Sequence, residues 1–345
     1  MMTTREAVDL FRDDDLIGLG MAADAVRRKH HPENVVTYII DRNINYTNFC
    51  TEYCSFCAFY RPMGHNEGYV HGHDVILQKI QETLDLGGTG VLMQGGLHPD
   101  LKIEWYEDML RAIRNRFGHR IWLHCFSAPE IQNIAAVSQI SLVDTISRLR
   151  DAGLDSIPGG GAEILHDEVR ERISRLKCDT QEWVDVHVTA HKLGMRTTAT
   201  MMFGCGETIE QRVHHLEVVR GIQEETGGFT AFIPWSFQRE NTSLGRYVKE
   251  EATGVEYLKT LAISRLYLDN VVNIQSSWVT QGLKTCQVGL RFGGNDVGSI
   301  MIEENVVSAA GARNRATEEE LRRIIRDAGF TPKQRDSLYL TYFLN

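Results

Sequence analysis

The sequence has no long apolar run, and none of its hydrophobic stretches approaches the roughly 18 residues that a membrane-spanning helix requires. Its first residues, MMTTREAVDLFRDDDL, also lack the basic start and the apolar segment of a secretory signal. We therefore expect a protein that works in the cytoplasm and does not insert into a membrane.

Positive charge is also scarce. The chain carries 37 Lys and Arg against 46 Asp and Glu, a formal net charge of −9, and it has no run of basic residues. A surface that binds a polyanion needs clustered Lys and Arg. We therefore expect no nucleic-acid partner.

Short apolar runs rich in β-branched residues alternate with longer segments of helical spacing. We count eight such runs, at 34–45, 90–94, 120–126, 154–161, 196–204, 229–237, 271–278 and 285–290. Helical segments separate most of them, although the last connection, 279–285, is short for a helix. The alternation implies parallel strands and predicts an α/β fold, a closed (β/α)8 TIM-type barrel, with an open doubly wound sheet as the alternative.

Two extensions flank this pattern in what we expect to be a single domain. Residues 1–35 predict an N-terminal helical extension with a break at Gly18 to Gly20, and residues 36–312 form the barrel. Residues 313–345 predict a C-terminal helical extension. Thr317 and Glu320 there have the spacing of a capping box, and Gly329 stands where a helix commonly ends.

Three of the seven cysteines, Cys50, Cys54 and Cys57, lie within eight residues on the loop that follows the first predicted strand. Clustered thiols in a reducing compartment indicate metal or redox chemistry. A zinc ion would fit if His65 completed a Cys3His site. A 4Fe–4S cluster would also fit, and three thiolates would leave one of its irons open for a substrate or cofactor.

The C-x3-C-x2-C spacing, with Phe56 before the last cysteine on the first loop of a barrel, resembles the radical S-adenosylmethionine (SAM) superfamily. The resemblance implies that the three cysteines bind a 4Fe–4S cluster whose open iron is chelated by SAM. It also implies reductive cleavage of SAM to a 5′-deoxyadenosyl radical, with a ferredoxin or flavodoxin as electron donor.

Polar and glycine-rich sequences follow several predicted strands, where a parallel barrel places its chemistry. The family resemblance assigns Gln94, Gly95 and Gly96 to the cofactor's amino group. Glu163 follows three glycines and is expected to contact the cofactor, while His124 and Ser127 should lie near the barrel mouth. We therefore predict cofactor contacts by Phe56, Ser127 and Glu163 together with the Gln94–Gly96 stretch, and a substrate contact by His124.

Three arginines fall just beyond the first, sixth and eighth predicted strands. Arg61, Arg239 and Arg291 could each clamp a carboxylate through two hydrogen bonds. We predict a substrate contact for each of them, and the glycine-bearing segment 291–296 could close the floor or lid of the pocket.

Longer stretches, such as YRPMGHNEGYV (60–70) and IPWSFQRENT (233–242), resemble the futalosine cyclase family within this superfamily. The resemblance implies a substrate, dehypoxanthine futalosine, whose ribose C4′ hydrogen is removed before the carbon adds to the benzoate ring, in a route to menaquinone. Cys205-Gly206-Glu207 stands where such relatives usually carry His-Val-Glu, which leaves the acceptor of the re-aromatisation proton unassigned.

Other functions stay open at this point. Aminofutalosine synthase and the subunit that builds a deazaflavin chromophore from tyrosine share the NIN-TN lead-in and the barrel. A zinc-stabilised binding protein without catalysis is the alternative from a different class.

Overall fold

The computed structural model describes residues 2–343, so residues 1, 344 and 345 of the predicted extensions lie outside the described residues. The strands are β1 (Val35–Ile39), β2 (Asp41–Ile44), β3 (Gly90–Met93), β4 (Trp122–Cys125), β5 (Ser156–Ile157), β6 (Arg196–Phe203), β7 (Phe229–Ser236), β8 (Asn273–Ile274), β9 (Asp296–Ser299), β10 (Thr331–Arg335) and β11 (Tyr342–Phe343).

The helices are α1 (Thr4–Arg12), α2 (Leu16–His30), α3 (His73–Asp85), α4 (Ile103–Phe117), α5 (Ala128–Ser138), α6 (Leu142–Ala152), α7 (Asp167–Ser174), α8 (Thr180–Lys192), α9 (Ile209–Thr226), α10 (Gly254–Tyr267), α11 (Gly282–Gly289), α12 (Val306–Ala309) and α13 (Glu318–Asp327). None of the helices within residues 2–343 combines the length and the apolar character that crossing a bilayer requires.

Parallel strands form the barrel wall. Strands β2 to β8 make one sheet in chain order, and β1 runs directly into β2 across Ile40. Strand β9 pairs with β1 on one side, and on the other the amide of Ser276 donates to the carbonyl of Asp296 over 2.8 Å. These bonds join the two ends of the wall, so the predicted α/β barrel is confirmed.

The eighth strand lies later in the chain than predicted. Residues 285–290 belong mostly to α11, and β9 begins only at Asp296, the last residue of the segment 291–296 that we expect to close a floor or lid. Cys286 and Leu290, four residues apart, are both buried in one cluster with Trp278. That spacing is helical, but a run of six residues is too short to separate a buried strand from a buried helix.

The predicted break at Gly18 to Gly20 is wrong, because helix α2 runs through it. The chain breaks earlier, and Asp15 caps α2 by accepting a hydrogen bond of 2.8 Å from the Gly18 amide. A Cβ atom at Gly20 would lie 2.8 Å from the ring of Phe292, so this glycine serves close packing of helix against loop.

The C-terminal extension is helical only in part. The predicted capping box of Thr317 and Glu320 starts α13, but β10 follows and pairs in parallel with β1. The guanidinium of Arg335, at the end of β10, contacts the buried Asp296 carboxylate at 2.6 and 3.0 Å. The extension therefore forms part of the barrel floor, at the amino ends of the strands.

Candidate cluster and cofactor site

The loop between β2 and α3 carries the three clustered cysteines at the carboxyl end of the barrel. Cys50 and Cys54 are buried and Cys57 is partly exposed. The Cys50 amide donates to the Arg61 carbonyl over 3.1 Å, and the Cys57 amide donates to the Cys54 carbonyl over 3.1 Å. Backbone hydrogen bonds therefore fix the course of the cysteine segment.

The zinc alternative finds no support in this loop. His65 is exposed, and its Nδ1 accepts a hydrogen bond of 3.2 Å from the Glu67 amide. Across residues 2–343, no three His, Cys, Asp or Glu side chains converge on the position of a single ion, as a closed zinc site requires. A cluster with several irons offers each thiolate its own metal atom, so three thiols can hold it without converging on one point.

The two inner thiols are poor nucleophiles without a metal. Burial raises the pKa of the Cys54 thiol to about 12, and burial likewise raises the pKa of Cys50. Metal coordination deprotonates a thiol outright. The pair is therefore suited to holding a metal and unsuited to free-thiol chemistry.

The glycine stretch after β3 packs directly against the cysteine loop. A Cβ atom at Gly96 would lie 2.1 Å from the Phe49 carbonyl oxygen, and one at Gly95 would lie 2.6 Å from the Tyr46 ring. The Gln94 amide donates to the carbonyl of Ile44 over 3.1 Å. Glycine is required here because the two backbones approach more closely than any side chain permits.

A buried carboxylate, that of Glu130, joins the ends of three neighbouring strands. Its oxygens accept hydrogen bonds from the Tyr46 hydroxyl (2.6 Å), the Gly95 amide (2.9 Å), and the Ser127 amide and hydroxyl (2.7 and 2.6 Å). The Ser127 hydroxyl, which we predicted to contact the cofactor, thus donates to Glu130. No local pattern indicates this role for Glu130, since a capping box explains the Ser127–Glu130 spacing by itself.

Glu163 meets a partner that sequence reasoning missed. It is buried, with a φ of +39°, and its carboxylate contacts the Lys177 ammonium at 2.5 Å. The same ammonium lies 5.3 Å from the centre of the Phe56 ring. Burial alone would lower the pKa of Lys177, but the charges of Glu163 and Cys54 raise it overall. Glu163 and Lys177 therefore form an ion pair beside the cysteine loop, and the Phe56 ring lies next to its ammonium group.

His124 lies inside the barrel and not at its mouth as predicted. It occupies the middle of β4, where its Nδ1 is 2.6 Å from the Ser156 hydroxyl and its Nε2 is 3.3 Å from the Thr198 hydroxyl. Burial, with a smaller contribution from Arg335, lowers its pKa to about 3. The imidazole is therefore neutral at physiological pH.

Arg61 and Arg291 do not reach the barrel mouth as free cations. Arg61 binds the Glu67 carboxylate at 2.7 Å and the carbonyl of Tyr60 at 3.0 Å, which braces the cysteine loop. Arg291 precedes β9 and so lies at the opposite end of the barrel, where it donates to the Ala328 carbonyl over 2.6 Å. Its predicted contact with substrate is wrong because the strand it was thought to follow is a helix.

Arg239 differs from the other two. It lines a cavity of about 680 Å³ beside Cys57 and Tyr60, between the cysteine loop and the loop after β7. Its Nη2 donates to the Gly245 carbonyl over 3.2 Å. Its Nη1 also donates to the Lys249 carbonyl, and Glu240 and Glu251 line the same cavity. None of the ion pairs among the described residues involves Arg239, so its charge has no carboxylate partner within the chain.

Cys205 faces the core and not the lumen. Its thiol lies 3.3 Å from a Glu207 oxygen, and burial raises its pKa well above the ordinary range. Glu207 in turn pairs with Arg212 at 2.6 Å. The Cys205 thiol is therefore not placed to accept a proton from a substrate in the lumen.

Comparison with known proteins agrees with this geometry. Residues 44–219 match the radical SAM superfamily, and residues 226–343 match the CofH/MqnC C-terminal region. Methylornithine synthase (PylB), a solved structure, has a TM-score of 0.74 at 18% identity over 96% of this chain and 94% of its own. At this level of sequence identity, the similarity shows a shared fold and nothing about function.

Three curated relatives align over 98% of the chain. The cyclic dehypoxanthine futalosine synthases of Halalkalibacterium halodurans and Streptomyces coelicolor are 51% and 46% identical to it and are covered over 90% and 85% of their lengths. A 5-amino-6-(D-ribitylamino)uracil–L-tyrosine 4-hydroxyphenyl transferase of Methanococcoides burtonii is 42% identical and is covered over 95%. The chain belongs to the radical SAM superfamily, whose enzymes work with a 4Fe–4S cluster and SAM.

Proposed function

We propose that this radical SAM enzyme converts dehypoxanthine futalosine into its cyclic product in menaquinone synthesis. The observation that carries the proposal is the nearly full-length identity of 51% and 46% to two synthases of that name, against 42% to a transferase that acts on tyrosine. The stretches 60–70 and 233–242 favour the same function, since the first lies on the cysteine loop and the second contains Arg239.

The residues around the cysteine loop suit a zwitterionic cofactor. Cys50, Cys54 and Cys57 would hold the cluster, which together with SAM supplies the 5′-deoxyadenosyl radical when both are bound. The Gln94–Gly96 stretch packs directly against the cysteine loop, which would place its backbone beside a cofactor bound there. Glu163 and Lys177 provide one carboxylate and one ammonium beside Cys54, which complements the opposite charges of an amino acid.

The rest of the barrel would position the substrate and exclude water. Arg239, with no carboxylate partner among residues 2–343, is suited to the benzoate carboxylate at the mouth. The buried Arg335–Asp296 pair lies at the floor. An enclosed site holds the two reacting carbons together and protects a carbon radical from side reactions.

The electron would come from a ferredoxin or flavodoxin. Cys57 is the most exposed of the three thiols and borders the open cavity, so this side of the loop is suited to electron entry. All seven cysteines are free, which fits a cytoplasmic protein.

An anaerobic product assay tests the proposal. Reconstituted protein with SAM, reductant and dehypoxanthine futalosine should yield 5′-deoxyadenosine and a cyclised product that has lost two hydrogens relative to the substrate. Parallel reactions with L-tyrosine and 5-amino-6-(D-ribitylamino)uracil, and with the substrate of aminofutalosine synthase, should yield no coupled product. Formation of 5′-deoxyadenosine without cyclised product would refute the assignment.

A further inference from the structure

Strand β2 turns alternate side chains to opposite sides of the barrel wall. Arg42 faces outward, where it binds Glu303 at 2.7 Å and the Lys79 carbonyl at 3.2 Å, and Ile44 is buried in the core between barrel and helices. Because the side chains of a strand alternate, Asp41 and Asn43 point into the lumen.

Both inward side chains carry an acceptor without a partner. Asn43 is 5% exposed, yet its Oδ1 accepts no hydrogen bond from any described residue, and the buried Oδ1 of Asp41 likewise accepts none. Buried acceptors are nearly always paired, because an unpaired one loses its water without compensation. Two unpaired acceptor atoms on residues two positions apart in one strand therefore indicate the position of a ligand.

Among the described residues, Ser299 and Arg335 are the groups that stabilise the Asp41 carboxylate, and neither donates a hydrogen bond to its Oδ1. Arg335 and Tyr339 are near, but both bond to Asp296, at 2.6 and 3.4 Å. His124 aligns with Asn43 across β3, through Leu92, and is neutral. A second anion would be repelled by Asp41, so an uncharged group with hydrogens to donate is the best complement.

We propose that Asp41 and Asn43 form an acceptor subsite in the lower lumen that receives the hydroxyl groups of a sugar ring. The subsite deepens the proposed function and rests on it, since the proposed substrate carries a ribose. Two residues along a strand span about 7 Å, which suits hydroxyls at different positions of one pentose. Anchoring the ring would fix which C–H bond faces the mouth.

The test measures binding and turnover separately. Substrate binding to the cluster-loaded enzyme with SAM but no reductant is followed by tryptophan fluorescence, since the Trp122 indole bonds to Ser156, the residue that also contacts His124. Variants Asp41→Asn and Asn43→Leu keep the shape of each side chain. The surface variant Asp185→Asn is the matched control.

We expect each lumen variant to weaken binding about tenfold or more, with iron content unchanged and Asp185→Asn like the wild type. A substrate analogue that lacks one ring hydroxyl should bind the wild type more weakly. The analogue that lacks the hydroxyl received by Asn43 should lose little further affinity in Asn43→Leu, which has no acceptor at that position. Wild-type affinity in both variants, or equal losses for substrate and analogue, would overturn the subsite. Tight binding that depends on Asp41 without any cyclised product would overturn only the proposed function.

Discussion

The hydroxyl of Tyr46 donates a hydrogen bond of 2.6 Å to the buried carboxylate of Glu130. Tyr46 introduces the cysteine loop and its ring lies beneath Gly95, while Glu130 also accepts from the Gly95 amide. The cluster loop and the glycine stretch expected to hold the cofactor are therefore positioned by the same carboxylate.

We predict that Glu130→Gln weakens SAM binding more than it lowers iron content. An amide at this position would turn an N–H group toward donors, which leaves buried groups unpaired and costs about 2–4 kcal/mol of unfolding free energy. Tyr46→Phe removes one donor and should cost about 1 kcal/mol. Urea unfolding and SAM titration measure both effects, and equal losses in the two variants would contradict the shared-carboxylate interpretation.

Lys177 and Glu163 should behave as a coupled pair. Their side chains are 12% and 5% exposed, so Lys177→Met leaves a buried carboxylate uncompensated at about 3–5 kcal/mol. We expect Lys177→Met to lower the rate of SAM cleavage about tenfold or more, and the addition of Glu163→Gln to recover stability. A double-mutant cycle of unfolding free energies tests this, and strictly additive losses would rule the coupling out.

Stability should fall as pH rises through the titration of Asp41. Burial raises the pKa of this carboxyl from 3.8 to about 6, so the folded chain binds a proton more tightly than the unfolded chain does. The stabilising proton is fully present below pH 4 and is lost as pH rises to 6, at roughly 2–3 kcal/mol.

Asp41→Asn should therefore be more stable than the wild type at pH 7.5 and should lose that advantage near pH 4. Chemical unfolding at both values measures the difference. We expect this substitution to raise stability and weaken ligand binding together, because functional sites commonly hold groups that lower the stability of the fold. A variant less stable than the wild type at pH 7.5 would show that the carboxylate is paired in solution.

The thiols of the metal-free protein should differ in reactivity. Cys57 is partly exposed, whereas burial raises the pKa of Cys54 to about 12. Alkylation after removal of iron should label Cys57 first and Cys54 at least about tenfold more slowly, since the thiolate is the reactive form. Peptide mapping by mass spectrometry reads the order, and loading the cluster should protect all three.

Arg239 and Arg291 allow a matched comparison at the two ends of the barrel. Arg239→Gln should raise the KM for a carboxylate-bearing substrate about tenfold or more and leave that for a decarboxylated analogue unchanged. Arg291→Gln, which loses its contact with the Ala328 carbonyl, should leave both values unaltered. An equal rise for both substrates in Arg239→Gln would indicate a general loss of loop structure instead.

The sequence by itself determined the cysteine cluster, the glycine stretch and most of the order of strand and helix. These features are local, since each depends on only a few neighbouring residues. They are the C-x3-C-x2-C spacing, the glycines at 95 and 96, and the periodicity of the hydrophobic residues. Even so, the prediction of a strand at 285–290 is wrong, because a run of six residues is too short to distinguish the period of a helix from that of a strand.

Only the tertiary structure decided which distant groups meet. Lys177 binds Glu163, which lies 14 positions earlier in the chain. Glu130 accepts hydrogen bonds from residues at the ends of three strands. Asp41 faces a lumen whose floor includes Arg335, from the C-terminal strand β10. Closure of the barrel creates these contacts, and the position of β9 placed Arg291 at the floor and not the mouth. Contacts of this kind depend on pairing between strands far apart in sequence, for which no local pattern carries a signal.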